Sequence, residues 1–335
     1  TDHPNGTPEI SLSDFYGTRS VFIYSWNPSG TTITYAGASR TAVAVDDFNM
    51  LQSAVSAGWN GYSSLIWQID DSIMAYATSR ARPAMQIDYV NNNPAGYGSR
   101  WPRDIIIDNR GWIMGRGGNG SNGNGQGQSG GGALYIRGTT GSIQDNEDNS
   151  GNAGGTGLVI IQNTKAILGG GGGGNGGSTG VAGGGGGGAG GGRGGNKGGA
   201  GGAGGGPFSS GSNGTPVVAG GYQGLGGQAG GGGGGWDSRG KSADAYGGGG
   251  GGGRVPGISA SGGSGQGGGG SGGAYNGTGG NGGDSGGGGG YGRQGGTSSS
   301  QGTRSAGGYA ISVAAGATQY VPVGAAVQLE GSNNA

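Results

Sequence analysis

The chain has 335 residues, of which 102 are glycine and 10 proline, with 17 basic and 17 acidic side chains, no cysteine and one histidine. Zero net charge without a basic run argues against a nucleic-acid partner, and the lack of cysteine excludes disulfides and thiolate metal sites. Runs of six consecutive glycines and scarce proline exclude collagen, which needs a strict Gly-X-Y period, and no apolar run reaches membrane-spanning length. No secretory signal is visible, and from the start at Thr1 we expect the natural start to have been removed by processing or by design.

In chain order, Ile10, Leu12 and Phe15 alternate in ISLSDFYG (10–17) and suggest a short anchoring segment. SVFIYSW (20–26) and TTITYAG (31–37), separated by Asn27-Pro28-Ser29-Gly30, predict a β-hairpin. A helix follows, capped by Asp46 or Asp47, with Phe48, Leu51 and Val55 on one face and Gly58 as its stop. A second amphipathic helix is predicted over 64–80 from the spacing of Ile66, Ile69, Ile73 and Tyr76 or Ala77, ended by Pro83. Five of the six tryptophans lie before residue 113, so residues 1–112 have the apolar content for a conventional core.

Residues 103–120, RDIIIDNRGWIMGRGGNG, read as strand, polar turn, strand and glycine. The pattern recurs in GLVIIQNTKAILGGGGGG (157–174), with a strand-like run ALYIRGTTG (133–141) between them, so this is an internal repeat. YAISVAAGATQYVPVGAAVQLEG (309–331) returns to strand-like composition.

The glycine tracts occupy 115–132, 169–206, 220–235, 247–253, 262–273 and 277–296. Their other residues often fall three apart, as in Lys197, Ala200 and Ala203, or Thr278, Asn281 and Asp284. That is the period of a polyproline-II-type helix, whose backbone groups must bond sideways to neighbours. Ordering glycine backbone costs on the order of 1–2 kcal/mol per residue, so the tracts form a bundle together or stay disordered. The tract at 169–206 is too long for one pass, and STGV (178–181) is expected to turn it.

GWIMGRGGNGSNGNG (111–125), LYIRGTTG and KAILGGGGGGNGG (165–177) resemble the distal tail-fibre adhesin of T-even-type bacteriophages. The resemblance covers about 103–308, and ISLSDFYG is similar to a sequence seen in many tailed-phage virion proteins. It implies packed polyglycine-II helices whose end loops touch a bacterial receptor, and an N-terminal domain docked on the fibre tip. The expected fold is therefore mixed. A small α+β attachment domain (1–112) precedes a polyglycine-II bundle or sandwich with short β elements (113–308), and a C-terminal β segment (309–335) packs back on the body.

In such a bundle the segments between tracts become turns, and we favour 207–219, 236–246 and 254–261 as the receptor-facing ones. The candidate receptor-binding residues are Phe208, Val217, Trp236, Asp237, Arg239, Lys241, Tyr246, Arg254, Ile258, Tyr275 and Tyr291. Aromatics with arginine are typical interface anchors; the plainer reading is that they plug the bundle ends against water. The expected partners are an outer-membrane protein or surface glycan of a Gram-negative host, and the phage tail-fibre protein at the N-terminal domain. The expected location is the virion, at the tail-fibre tip.

Other motifs point elsewhere. GWDSRGKS (235–242) satisfies the P-loop pattern, but glycine precedes it and no helix follows, so nucleotide binding is rejected. DNED (145–148) lacks calcium-loop spacing and reads as a solvated turn. His3 alone, near the terminus, argues against a catalytic triad or a histidine metal site. No catalytic residue, cofactor or metal is assigned, and the expected protein is not an enzyme. Two rivals stand beside this reading. One is a structural or ice-binding glycine-rich protein, against which the dissimilar turns argue. The other is a capsule-degrading enzyme domain with a glycine-rich tail, using pairs such as Asp46/Asp47 and Asp70/Asp71; against it, a domain of about 100 residues is small for the large β scaffold such enzymes usually need.

Overall fold

Alternating β-branched and aromatic residues favour strands, and this chain lays them down in a repeating order. The computed structural model describes residues 21–35, 37–60, 63–88, 104–122, 125–136, 143–144, 153–154, 159–176, 278–281, 286–289, 293–298, 302–313, 320–323, 329–330 and 333–334. A first round contains β1 (Val21–Trp26), β2 (Thr31–Tyr35), β3 (Ala38–Ala44), β4 (Phe48–Asn49) and the helix α1 (Met50–Ser56). The second has β5 (Ser64–Ile69), β6 (Ile73–Tyr76) and β7 (Met85–Ile87); the third has β8 (Ile105–Asn109), β9 (Trp112–Met114) and β10 (Leu134–Ile136). An antiparallel pair, β11 (Ile143–Gln144) and β12 (Ala153–Gly154), precedes the fourth round, β13 (Val159–Asn163), β14 (Ala166–Leu168) and β15 (Ile311–Val313). The fifth is β16 (Tyr320–Val323), β17 (Leu329–Glu330) and β18 (Asn333–Asn334).

Strands of like place pair across rounds. The first sheet runs β1-β5-β8-β13-β16, the second β2-β3-β6-β9-β14-β17, and the third β4-β7-β10-β15-β18. Pairing in these sheets is parallel except for the β2–β3 hairpin. Three parallel sheets threaded in rotation make a solenoid, in which each round buries its apolar face only by stacking on its neighbours. Register makes like stack on like: Leu65, Ile105 and Val159 share a row, as do Trp67, Ile107 and Ile161. All six face the core and are essentially fully buried.

The corners between the first two sheets are polar. Asn109 and Asn163 stack in register, with Asn109 Nδ2 donating to Asn163 Oδ1 at 2.7 Å. Gly111 closes the corner; a Cβ there would meet the Asp70 carbonyl oxygen at 2.6 Å. At the first round the core is aromatic, with Trp26 5.0 Å from Phe48 and 5.3 Å from Trp67, ring centre to ring centre. α1 adds Met50, Leu51 and Ala54 to the same core.

The structure overturns the expected fold class. The described residues are mostly strand, in parallel and mixed sheets, with the single helix α1; they contain no α+β domain followed by a bundle of helices. The predicted helix over 64–80 is instead β5 and β6. Ile69 and Ile73 are four apart because the Asp70-Asp71-Ser72 corner separates two strands, while Leu65, Trp67 and Ile69 are buried with the strand period of two. The predicted hairpin of β1 with β2 is also wrong. β1 pairs with β5, and the hairpin forms one strand later, between β2 and β3. The helix near residue 50 is present but capped by Asn49, whose Oδ1 accepts from the amides of Leu51 and Gln52. The predicted cap Asp46 instead accepts from the amides of Thr78 and Ser79.

The repeat seen in the sequence is present in space: β8–β9 and β13–β14 lie side by side in register. Both lead into glycine segments that are neither helix nor strand. There the amides of Gly115, Gly118 and Ser121 donate to the carbonyls of Leu168, Gly171 and Gly174, three residues apart on both segments. Gly170, Gly173 and Gly176 donate in turn to Gly131, Gln128 and Gly125, running the opposite way. Segments from 286–308 join through Gly308 to Gly170, Gly172 to Arg293 and Gly289 to Gly172. Backbone packs on backbone so closely that a Cβ on Gly170 would fall on the Arg116 carbonyl oxygen, and one on Gly173 on that of Asn119.

Gly170→Ala is therefore expected to destabilise by about 1–3 kcal/mol or more, since overpacking against fixed backbone cannot be relieved by a rotamer change. Gly302→Ala, where nothing lies within 4 Å of the added carbon, should leave the melting temperature unchanged. Differential scanning calorimetry of the pair checks this.

Candidate recognition surface

In each described round the path from the second sheet to the third passes one corner, and the corners differ greatly in length. Between β6 and β7 it takes residues 77–84; between β9 and β10 it takes 115–133; between β14 and β15 it takes 169–310. All eleven predicted receptor-binding residues fall in this last excursion: Phe208, Val217, Trp236, Asp237, Arg239, Lys241, Tyr246, Arg254, Ile258, Tyr275 and Tyr291. They lie outside the described residues, as do the P-loop-like segment 235–242 and the acidic run 145–148.

What is described is the base of the excursion. Its hub is Asn175, fully buried within the glycine segments. Its Oδ1 accepts from the Gly127 amide at 3.0 Å, its Nδ2 donates to the Thr303 carbonyl at 2.6 Å, and its backbone bonds Gly296 and Gly286. Through side chain and backbone together, this one residue ties its own segment to four others. Ser298 Oγ donates to the Gly176 carbonyl at 2.8 Å and Ser305 Oγ to that of Gly173, while Arg304 Nη2 donates to Asn281 Oδ1 at 2.9 Å. These polar residues satisfy backbone groups that would otherwise be buried without partners. Asn175 was visible in the sequence as the break in GGGGGGNGG, but nothing there marked it as a junction.

Outside the excursion, the polar row on the first sheet is self-satisfied. Ser25 Oγ donates to Gln68 Oε1 at 2.9 Å, Gln68 Nε2 to Asp108 Oδ2 at 3.1 Å, and the Arg110 guanidinium grips Asp108 at 2.6 Å. On the second sheet, Trp112 has the Arg40 guanidinium 4.8 Å and the Lys165 ammonium 5.4 Å from its ring centre. Asp70 accepts from the Ser72 amide and hydroxyl, and the amide bond above all holds its carboxyl below the usual carboxylate value. Among the described residues no group of three or more His, Cys, Asp or Glu side chains gathers into a metal site.

An open cleft lies where the third sheet meets the glycine segments. It is about 150 Å³ in volume, walled by the Arg80–Pro83 corner on one side and by Tyr135, Tyr309 and Ser312 on the other. Arg82 reaches Asp47 at 3.4 Å; burial pushes the Asp47 carboxyl up, and Arg82 works against it.

No family model and no curated protein matches the sequence. Among solved structures, the crystal structure of the gp37-gp38 adhesin tip complex of the bacteriophage S16 long tail fiber is similar at 17% identity, over 96% of this chain and 86% of that one, with a TM-score of 0.42. A likeness at that level establishes neither the family nor the fold of this chain.

Asn175→Ala strips the Gly127 amide and the Thr303 carbonyl of their partner, and each buried unsatisfied group costs roughly 1–3 kcal/mol. The expected result is a lower melting temperature together with faster hydrogen exchange at Gly127, while the amides of β5 and β8 stay protected.

Proposed function

We propose that the chain is a bacteriophage tail-fibre adhesin, carried at the fibre tip and recognising a host outer-membrane protein or surface glycan through the segments between its glycine tracts. The observation that supports this best is the corner excursion. A solenoid corner that closes in the second round with residues 77–84 is opened in the fourth into 169–310. Its foot is held largely by backbone–backbone bonds, joined by the side chains of Asn175, Ser298 and Ser305. The carried segments are dissimilar and hold Phe208, Trp236, Tyr246, Tyr275 and Tyr291 in glycine-rich or polar surroundings. Anchored ends also reduce the entropy lost on binding. The motifs at 111–125, 133–141 and 165–177, which resemble the T-even distal adhesins, support the same reading from the sequence. In it the chain attaches to a tail-fibre protein and carries out no catalysis.

One observation favours a second reading, a glycan-degrading enzyme. The solenoid draws strands from Val21 to Asn334 and is a far larger β scaffold than residues 1–112 alone suggested. Against it, three of the described carboxylates are committed to neighbours: Asp46 to Thr78 and Ser79, Asp70 to Ser72, and Asp108 to Arg110 and Gln68.

Exchanging segments 207–219, 236–246 and 254–261 for those of a related chain should transfer host preference, scored as binding to a panel of bacterial strains. Unchanged preference refutes recognition by these segments. Incubation with purified capsular polysaccharide should release no new reducing ends or unsaturated products; release of either establishes the enzyme reading.

A further inference from the structure

We propose that the cleft between the Arg80–Pro83 corner and the outer face of β10 and β15 binds a carboxylate-bearing pyranose, a single unit of an acidic glycan. Three features of the cleft carry this.

The first is an exposed ring. Tyr309 is 41% exposed, whereas the aromatic side chains of the solenoid core, Trp26, Trp59 and Trp67, are buried. Beside it, Tyr135 stands half-buried on β10, in register with Ser312 on β15. A tyrosine offers an apolar face with a polar tip, which suits a pyranose, whose C–H face is apolar and whose edge carries hydroxyls. The Ser312 hydroxyl adds a donor and acceptor at the same wall.

The second is unspent positive charge. Arg80 and Arg82 are both exposed at the rim. Among the described residues Arg80 has no carboxylate within ion-pair distance, since the pairs formed there are those of Arg40, Arg82 and Arg110. The Arg82–Asp47 pair is solvent-exposed on the arginine side and contributes little to stability, so Arg82 can turn to a ligand at small cost. A guanidinium fork matches a carboxylate with two parallel hydrogen bonds.

The third is a floor that glycine does not need for packing. At Gly130, Gly131, Gly170 and Gly308 an added Cβ would strike the backbone of another segment. At Gly132 its nearest neighbour would be the Tyr309 carbonyl oxygen at 3.6 Å, an ordinary contact. The space above Gly132 is the cleft itself. Its volume of about 150 Å³ is below that of pockets that enclose drug-sized ligands and suits one ring with its neighbours in solvent.

The site differs from the segments assigned to host recognition. That the glycan belongs to a bacterial surface rests on the adhesin reading, but binding itself does not. The test therefore uses the purified full chain, with saturation-transfer NMR and calorimetric titration at low salt. The probes are glucuronic acid, galacturonic acid and N-acetylneuraminic acid, with glucose and inorganic phosphate beside them. At least one acidic sugar should bind in the millimolar range, with glucose weaker by about tenfold or more for want of the charge-assisted bonds.

Arg80→Ala and Tyr309→Ala, both at exposed positions, should each abolish detectable binding without altering the melting temperature. Gly132→Leu should block the cleft while Gly132→Ala leaves the fold intact. The proposal is overturned by any of three results: no acidic sugar binds; glucose binds as well as the acids; or binding survives both Arg80→Ala and Tyr309→Ala. Phosphate binding as tightly as the sugars, with loss on Arg80→Ala but not on Tyr309→Ala, would show an anion site and overturn the sugar assignment. Host-strain attachment, measured separately, tests the adhesin reading, so either can fail alone.

Discussion

The carbonyl oxygens of Arg116, Asn119, Gly131 and Gly308 occupy the places where neighbouring glycines would carry a Cβ. That single constraint shapes the described glycine segments. Its segments approach until amides and carbonyls bond directly across them, as from Gly118 to Gly171 and from Gly173 to Gln128. Little apolar surface is available, so the cost of ordering glycine is offset by the density of these bonds and by the buried amide of Asn175. At Gly130, Gly170, Gly173 and Gly308 a side chain larger than hydrogen would strike the backbone of another segment.

The solenoid and the glycine segments are continuous rather than adjacent. The ladder joining Met114 to Leu168 is extended by the Gly115 amide donating to Leu168, and the return path enters β10 through the Ala133 amide on the Tyr309 carbonyl. The same corner is short in one round and long in others, so the glycine segments are an enlargement of a corner whose two ends the sheets fix. Different forces hold the two parts. Inward rows such as Trp67, Ile107 and Ile161 act through apolar burial, and the glycine segments act through backbone polarity. The cleft at Arg80 and Tyr309 sits where one regime gives way to the other, and there Gly132 has room that its neighbours lack.

Much of the strand content was legible, because β8–β9 and β13–β14 repeat the same apolar-corner-apolar pattern before glycine. The amides of Gly115, Gly118 and Ser121 bond at intervals of three, whereas the spacing read at Lys197, Ala200 and Ala203 lies outside the described residues. The rounds themselves were not legible. β5 and β6 mimic a helix because their corner sets Ile69 and Ile73 four apart, and β1 finds its partner in β5 rather than in the strand that follows it. Parallel pairing between rounds leaves no local turn signal, and the long corners hide the period by making successive rounds unequal. The eleven residues assigned from the sequence fall outside the described structure. The cleft, by contrast, joins Arg80, Tyr135 and Tyr309 across sequence distances that no spacing rule connects.

Bonding between bare backbones also divides the chain by what inheritance can change. Every single-base change in a glycine codon that alters the residue adds a Cβ, and at Gly130, Gly170, Gly173 or Gly308 that carbon has no room. Selection should hold those codons almost still. A lineage built this way would diversify by substituting, lengthening or recombining whole segments between unchanged glycine runs. Those runs, being nearly identical in sequence, are also natural sites for homologous exchange.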